Sequence, residues 1–264
     1  MTSAVIIILR EVLEAMLLIC TLMASARAVG LHIRWMPFAI VVGISGAFSY
    51  ALFLSEISSS FDGFGQEIVN SALLITVTIC LVVHNFVAIR INGIGRSTHL
   101  VRLSIAVMCT AIAMAMTREG AEMYLYVYAY GVLAGETLSV LSGAVIGAGI
   151  GLSLGTFVYY GLRSLSPRVC LFTCAGVVAV VGASMVSQAT LYLSQADILQ
   201  MQAPVWDTSN IVSESSLLGE LLHASIGYEA SPTLTQLMLY LVTVTAGIAA
   251  VIAALWLNSS KEAE

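Results

Sequence analysis

Two copies of one charged pentapeptide lie inside long apolar stretches of this 264-residue chain. The first, Arg10–Glu14, has the sequence R-E-V-L-E, and the second, Arg118–Glu122, has the sequence R-E-G-A-E. A charge at the centre of a lipid bilayer costs about 2.5 to 3.5 kcal/mol on insertion scales. Charges kept inside such segments indicate a functional site by default, so the two R-E-x-x-E motifs are the first candidates for function.

The composition is that of an integral membrane protein. Hydrophobic residues make up 59% of the chain and charged residues only 9%, whereas a soluble domain carries about 25% charged residues. The length suits one compact helical bundle, so we predict a single membrane domain over 1–264, in contact with lipid and with no nucleic-acid partner. The sequence offers no nucleophile–base pair, nucleotide-binding loop or haem motif, and we therefore do not expect an enzyme.

Seven apolar segments are long enough to cross a bilayer, which takes about 20 helical residues. The predicted fold class is an all-α integral membrane protein with seven transmembrane helices. The first motif lies in span one, and the second lies close to the middle of span four. The expected spans are 3–26, 36–55, 68–89, 103–134, 137–162, 169–194 and 235–257.

The basic residues outside the motifs predict the orientation. With seven crossings, all eight fall on one face, and the loops on the opposite face contain no Lys or Arg. The positive-inside rule then places the N-terminus outside and the C-terminus in the cytoplasm, in a multi-pass protein of the cytoplasmic (inner) membrane. The outer face is acidic. Its acidic residues either raise the local cation concentration or are simply tolerated on a face that lacks Lys and Arg. The eight residues are Arg27, Arg34, Arg90, Arg96, Arg102, Arg163, Arg168 and Lys261.

The motif positions also predict an internal repeat. Spans one and four are offset by three helices, an odd number, so the units that they open run in opposite directions through the bilayer. We predict inverted repeats over about 1–90 and about 101–195, an outer loop over about 195–234 and a last helix over about 235–257. Transporters built on this plan bind substrate near the membrane midplane, where the repeats meet.

Each motif can present two carboxylates on one face of its helix. Residues three apart are neighbours on a helix, so the two glutamates of each motif project together. The arginine precedes the second glutamate by four residues, within reach of a salt bridge. If spans one and four pack face to face, four carboxylates converge in a site of net negative charge. The carboxylates are Glu11, Glu14, Glu119 and Glu122, and the arginines are Arg10 and Arg118.

Such a convergence indicates a cation site. Carboxylates suit Mg²⁺, Ca²⁺, Mn²⁺ and iron better than Cu⁺. Without a cation, some of the carboxylates would take up protons because like charges repel in a low dielectric, and a multivalent cation would displace those protons. Two other interpretations stay open: the motifs are ion pairs that hold two helices together, or the carboxylates relay protons.

The paired motifs resemble those of the bacterial members of the oxidase-dependent iron permeases, also called the iron/lead transporter family. Members of that family have seven membrane helices, with R-E-x-x-E in helices one and four. The last outer loop carries a second similarity, and together with the span count the resemblance covers most of the chain. The matching loop residues are Trp206, Asp207, Thr208, Ser209, Ser216, Leu217, Leu218, Gly219, Leu222, His223, Gly227, Tyr228, Pro232 and Gln236.

The resemblance implies uptake of iron across the cytoplasmic membrane. Iron ions would be the transported substrate, with no permanently bound cofactor. A periplasmic or surface protein that oxidises or delivers iron would be the partner. In the family the motif glutamates bind iron, and the motif arginines accompany them. These roles carry over to Glu11, Glu14, Glu119 and Glu122, and to Arg10 and Arg118, respectively.

Span three carries one match to the family and one departure from it. Glu67, at the outer end of the span, resembles a family glutamate and is a candidate accessory residue. The other end reads Val83-His84-Asn85 and departs from the aromatic and Met-rich pattern expected there. His84 is therefore either a hydrogen-bonded packing residue or a ligand or relay on the exit path.

Two further features lie in the last outer loop and in span five. The segment 216–224 has the pattern of a short amphipathic helix on the outer surface. Its Glu220 and His223 are three residues apart, and they serve either capping and packing or iron capture. Glycines repeat every fourth residue in span five, a pattern typical of close helix contact, and we favour packing inside the protein over an oligomer face. These glycines are Gly143, Gly147, Gly151 and Gly155.

Two functions of other classes stay open. One is a proton-coupled importer of another divalent metal such as manganese, whose uptake would be insensitive to an iron-oxidising partner. The other is a non-transporting membrane subunit with structural ion pairs, which would bind no metal. The oligomeric state does not follow from the sequence.

Overall fold

The chain folds into a bundle of helices. The structure is a computed structural model that describes residues 1–262 and side chains up to residue 260, so the Lys261 side chain lies outside the described part. Within it, regular structure is helical apart from one isolated β-bridge between Pro204 and Thr233. The helices are α1 (Thr2–Ala28), α2 (Met36–Leu52), α3 (Leu54–Ser59), α4 (Gly65–Ile94), α5 (Thr98–Tyr126), α6 (Thr137–Arg163), α7 (Pro167–Gln195), α8 (Leu217–Ile226) and α9 (Leu234–Glu262). A π-helical segment, Val127–Leu133, continues α5.

Five of the described helices are long and apolar enough to cross a membrane. Helix α1 has 27 residues but carries three motif charges in its apolar run, and α2 has 17 residues. The predicted second span, 36–55, is therefore too long, because the chain bends at Phe53 and begins the separate helix α3. The five spanning segments are Gly65–Ile94, Thr98–Leu133, Thr137–Arg163, Pro167–Gln195 and Leu234–Ser260.

The bundle buries four of the six motif charges and exposes large apolar side chains. Glu11 and Glu119 are each 1% exposed, whereas Phe157 and Trp256 are more than 70% exposed. In water this distribution would leave broad apolar surfaces uncovered. It suits a protein whose outer surface lies in lipid.

Small residues let two pairs of helices pack closely. Helix α1 lies against α6, and α5 lies against α2. A Cβ atom added at Gly147 of α6 would lie 2.5 Å from the Val5 carbonyl oxygen of α1, and one at Gly120 of α5 would lie 2.7 Å from the Ala47 Cβ of α2. The prediction that the span-five glycines serve packing inside the protein is confirmed.

The segment between α7 and α9 folds back along the bundle. Its helix α8 begins at the Ser216 cap, whose hydroxyl accepts from the Gly219 N–H at 3.0 Å, and ends at Gly227 in the left-handed conformation. Its Ala224 packs with Leu13 and Leu17 of α1. Leu13 is about 16 Å along α1 from its first residue at 1.5 Å per residue. The predicted helix is present, and its buried residues are Gly219 and Ala224. Ala224 lies beside the middle of α1, and the position of α8 on the outer surface stays a prediction.

Candidate functional site

Helices α1 and α5 bring the two motifs together, since they pack against each other. Carboxylate oxygens of Glu11, Glu119 and Glu122 lie within 4.8 Å of one another. Glu11 and Glu119 are buried, and the Glu122 side chain is 19% exposed. Among the described residues, no other group of three His, Cys, Asp or Glu side chains meets this criterion for holding a metal ion. The fourth motif carboxylate, Glu14, joins the cluster through an arginine.

Arg118 lies at the centre of the cluster. Its Nη1 donates to Glu119 Oε1 at 2.9 Å and to Glu14 Oε2 at 3.2 Å, and its Nη2 lies 2.9 Å from Glu122 Oε1. The guanidinium thus contacts carboxylates of both motifs while its side chain is only 5% exposed. The predicted pair between Arg118 and Glu122 is present.

Arg10 makes a different set of contacts from those predicted. Its Nε donates to Glu11 Oε1 at 2.9 Å, and its Nη1 donates to Glu220 Oε2 of α8 at 3.1 Å. The predicted partner within the same motif, Glu14, is instead bound to Arg118. The reason is tertiary: α8 brings another carboxylate to Arg10, and α5 brings another guanidinium to Glu14.

The electrostatics of the cluster favour a cation. Five carboxylates share two guanidiniums in this set of ion pairs, so negative charge is in excess. Glu11 Oε2 is buried and makes no hydrogen bond. A buried polar atom without a partner is destabilising, and a carboxylate oxygen in that state is an available ligand for a hard cation.

Helix α7 contributes two residues that sequence reasoning missed. The Gln188 Nε2 lies 3.4 Å from Glu14 Oε2, and the Tyr192 hydroxyl donates to Glu122 Oε1 at 2.8 Å. These residues are four apart and share a helix face. The available signal was Gln188, the one amide side chain in the span 169–194, with Tyr192 one helical turn after it.

Glu67 lies in the first turn of α4. One of its carboxylate oxygens is buried without a hydrogen-bond partner. Asn70, three residues further on, shares a helix face with Glu67, and its Oδ1 accepts from the Tyr50 hydroxyl of α2 at 3.3 Å. The predicted accessory carboxylate therefore lies close to a contact between α2 and α4.

The two predicted accessory histidines do not join the cluster, whereas Glu220 joins it through its ion pair with Arg10. His84 is buried, and its Nε2 lies 3.0 Å from the Oγ of Ser25. Ser25 comes eleven residues after Glu14 on α1, so this contact favours the packing interpretation of His84. His223 Nδ1 lies 3.0 Å from the Tyr228 carbonyl oxygen, which favours capping and packing for His223.

The comparisons with known proteins agree with the motifs. The family model described as "Iron permease FTR1 family" matches residues 95–263, a range that contains the second motif. The "Ferrous iron permease EfeU" of Yersinia pestis is 25% identical over 256 residues, covering 90% of this chain and 88% of the relative. The protein of the same name from Yersinia pseudotuberculosis serotype I (strain IP32953) is 25% identical, with 90% and 87% covered. No solved structure matches this chain. The chain belongs to the FTR1 iron permease family.

Proposed function

We propose that this protein imports ferrous iron across the cytoplasmic membrane and that the glutamates of the two motifs bind the ion on its way. The observation that carries the proposal is the buried cluster in which carboxylate oxygens of Glu11, Glu119 and Glu122 lie within 4.8 Å of one another. Oxygen ligands in a site of excess negative charge suit a divalent cation. The name of the Yersinia relatives supports ferrous iron as that cation.

The arginines have distinct parts in this proposal. Arg118 binds three of the motif carboxylates and keeps them close together despite their mutual repulsion. Arg10 fixes one oxygen of Glu11 and leaves the other without a partner. The fork of N–H donors on each guanidinium can orient a carboxylate in a way that a lysine ammonium cannot.

Seven crossings are part of the proposal, with α1 and α2 added to the five apolar spans. At 1.5 Å per residue, α1 is about 40 Å long and α2 about 25 Å long, so α2 falls at the short end of the spanning range. Basic residues gather at one end of the bundle, which supports the topology. Arg27 and Arg163 line one cavity, and Arg90 donates to Asn258 Oδ1 near the end of α9 at 2.8 Å. We place this end in the cytoplasm.

The helix contacts support an inverted repeat. In the predicted repeats, α1 corresponds to α5 and α2 corresponds to α6. An exchange of the repeats therefore turns the α1–α6 contact into the α5–α2 contact, and both contacts are extensive. The correspondence extends to the motifs, whose third positions are Val12 and Gly120. Val12 of α1 lies against Gly151 of α6, and Gly120 of α5 lies against Ala47 of α2.

The proposed route starts at the acidic outer face. Iron passes Glu67, binds to the motif carboxylates and leaves past α4 and α7 into the cytoplasm. The proposal includes a periplasmic or surface protein that delivers iron, the one of the two partner types implied by the resemblance that fits a ferrous cargo.

Uptake of radioactive iron tests the proposal in cells that lack other iron importers and contain the partners. Glu14→Gln and Glu122→Gln should abolish uptake at unchanged membrane abundance. Thr21→Val is the matched control, since the Thr21 hydroxyl bonds only to the carbonyl of Leu17 in its own helix. Unchanged uptake in both glutamine variants would mean that the motifs serve only as structural ion pairs. Uptake of manganese but not iron by the native protein would favour the proton-coupled importer.

A further inference from the structure

One buried polar side chain at the motif cluster comes from a helix that carries no motif. Gln188 of α7 is 5% exposed, and its Oε1 is buried without a hydrogen-bond partner. Its Nε2 lies 3.4 Å from Glu14 Oε2, the oxygen that also receives Arg118 Nη1 at 3.2 Å. Because Oε1 and Nε2 share one carbon atom, the unpartnered oxygen lies at the edge of the carboxylate cluster.

Three buried side-chain atoms of the cluster have no hydrogen-bond partner: Gln188 Oε1 of α7, Glu11 Oε2 of α1 and Arg118 Nε of α5. Buried polar atoms in proteins are nearly always paired. Arg118 Nε is a donor, whereas the two oxygens are electron-pair donors of the kind that a bound cation takes as ligands.

We propose that Gln188 Oε1 is an uncharged ligand of the ion that the motif glutamates bind. This inference rests on the proposed function and adds a ligand from a helix that carries no motif. Donation from Nε2 to Glu14 holds the amide so that Oε1 is free for the ion. An amide oxygen fills a coordination position without adding a negative charge to a site that already has carboxylates in excess of guanidiniums.

Two substitutions separate the oxygen of the Gln188 side chain from its N–H donor. Carbonyl and carboxylate oxygens suit ions such as Mn²⁺. Gln188→Glu keeps an oxygen ligand but loses the N–H donor to Glu14, whereas Gln188→Leu loses both. The pair therefore separates a ligand from a residue that only positions Glu14.

Binding of Mn²⁺ to the purified full chain in lipid nanodiscs tests this inference, with the EPR signal of free Mn²⁺ as the readout. We expect Gln188→Leu to weaken binding about tenfold, within the range seen when groups around metal sites are altered, and Gln188→Glu to bind more tightly than Gln188→Leu. Thr190→Val is the matched control in α7, because its hydroxyl bonds only to the Val186 carbonyl of the same helix. If Gln188→Leu is lost from the membrane, Gln188→Met replaces it under the same criterion.

The outcomes separate this inference from the proposed function. Native affinity in Gln188→Leu, or equal weakening in Gln188→Leu and Gln188→Glu, would overturn the ligand role. Glu122→Gln reports on the proposed function in the same assay. Loss of binding in Glu122→Gln together with native binding in Gln188→Leu would refute only the ligand role, and native binding in Glu122→Gln would refute the motif site itself.

Discussion

Arg118 Nη1 lies 3.2 Å from Glu14 Oε2, so the arginine of the second motif binds a glutamate of the first. The same guanidinium contacts Glu119 and Glu122 of its own motif. Its counterpart Arg10 makes no such link to the second motif and turns to α8 instead. Two motifs of identical pattern therefore have unequal roles, and the cluster depends more on the second arginine.

Replacement of Arg118 by lysine should be severely damaging although it keeps the positive charge. A lysine ammonium cannot reproduce the planar fork that reaches three carboxylates, and loss of a partner from a buried ion pair costs about 3 to 5 kcal/mol. We expect Arg118→Lys to lose iron uptake and to reduce the amount of protein in the membrane.

Arg10→Lys is the matched comparison, because Arg10 has the same position in its motif and its side chain is 27% exposed. It should retain more uptake and nearly native abundance. Equal behaviour of the two lysine variants, measured by uptake and by immunoblot of membranes, would contradict the unequal roles of the arginines.

The position of α8 beside the middle of α1 is open to direct test by cross-linking. Ala224 packs with Leu13, so a Leu13→Cys and Ala224→Cys pair should react with a short bifunctional thiol reagent. The control pairs Leu13→Cys with Leu217→Cys, since Leu217 is 53% exposed at the other end of α8. Cross-linking of the control pair alone, seen as altered gel mobility, would contradict the packing of Ala224 against Leu13.

The sequence predicts the features that depend on local spacing. The apolar segments end within a few residues of the helices, and the Arg118–Glu122 pair follows from its spacing of four. The contacts that the sequence does not predict depend on which helices pack against each other. The partners of Arg10, and the approach of Gln188 and Tyr192 to the motifs, arise only when α8 and α7 pack against α1 and α5.

Close packing of α2 on α5 gives a prediction with a built-in rescue. A Cβ atom at Gly120 would lie 2.7 Å from the Ala47 Cβ, so Gly120→Ala should lower the thermal stability of the detergent-purified protein and reduce uptake. The double variant Gly120→Ala with Ala47→Gly should recover both, because it moves the methyl group to the other helix. Gly149→Ala is the control, since a Cβ atom there meets nothing within 4 Å. Failure of the double variant to recover would mean that contact with Ala47 is not the cause.

Glu11 should show opposite effects on stability and on metal binding. Its Oε1 accepts from Arg10, while its buried Oε2 has no hydrogen-bond partner. Glu11→Gln keeps an oxygen for Arg10 and removes one of the repelling charges, so the metal-free variant should unfold at the native temperature or above it. A ligand that binds only the folded state stabilises it, by about 2.7 kcal/mol at a hundred times its Kd.

Thermal unfolding of the detergent-purified protein, with and without Mn²⁺, measures both effects. Addition of Mn²⁺ should raise the unfolding temperature of the native protein and of Thr21→Val, but not that of Glu11→Gln. An equal rise in Glu11→Gln would show that the ion is held without this carboxylate. A lower unfolding temperature for the metal-free variant would show that Glu11 stabilises the fold more through its ion pair than it destabilises it through repulsion.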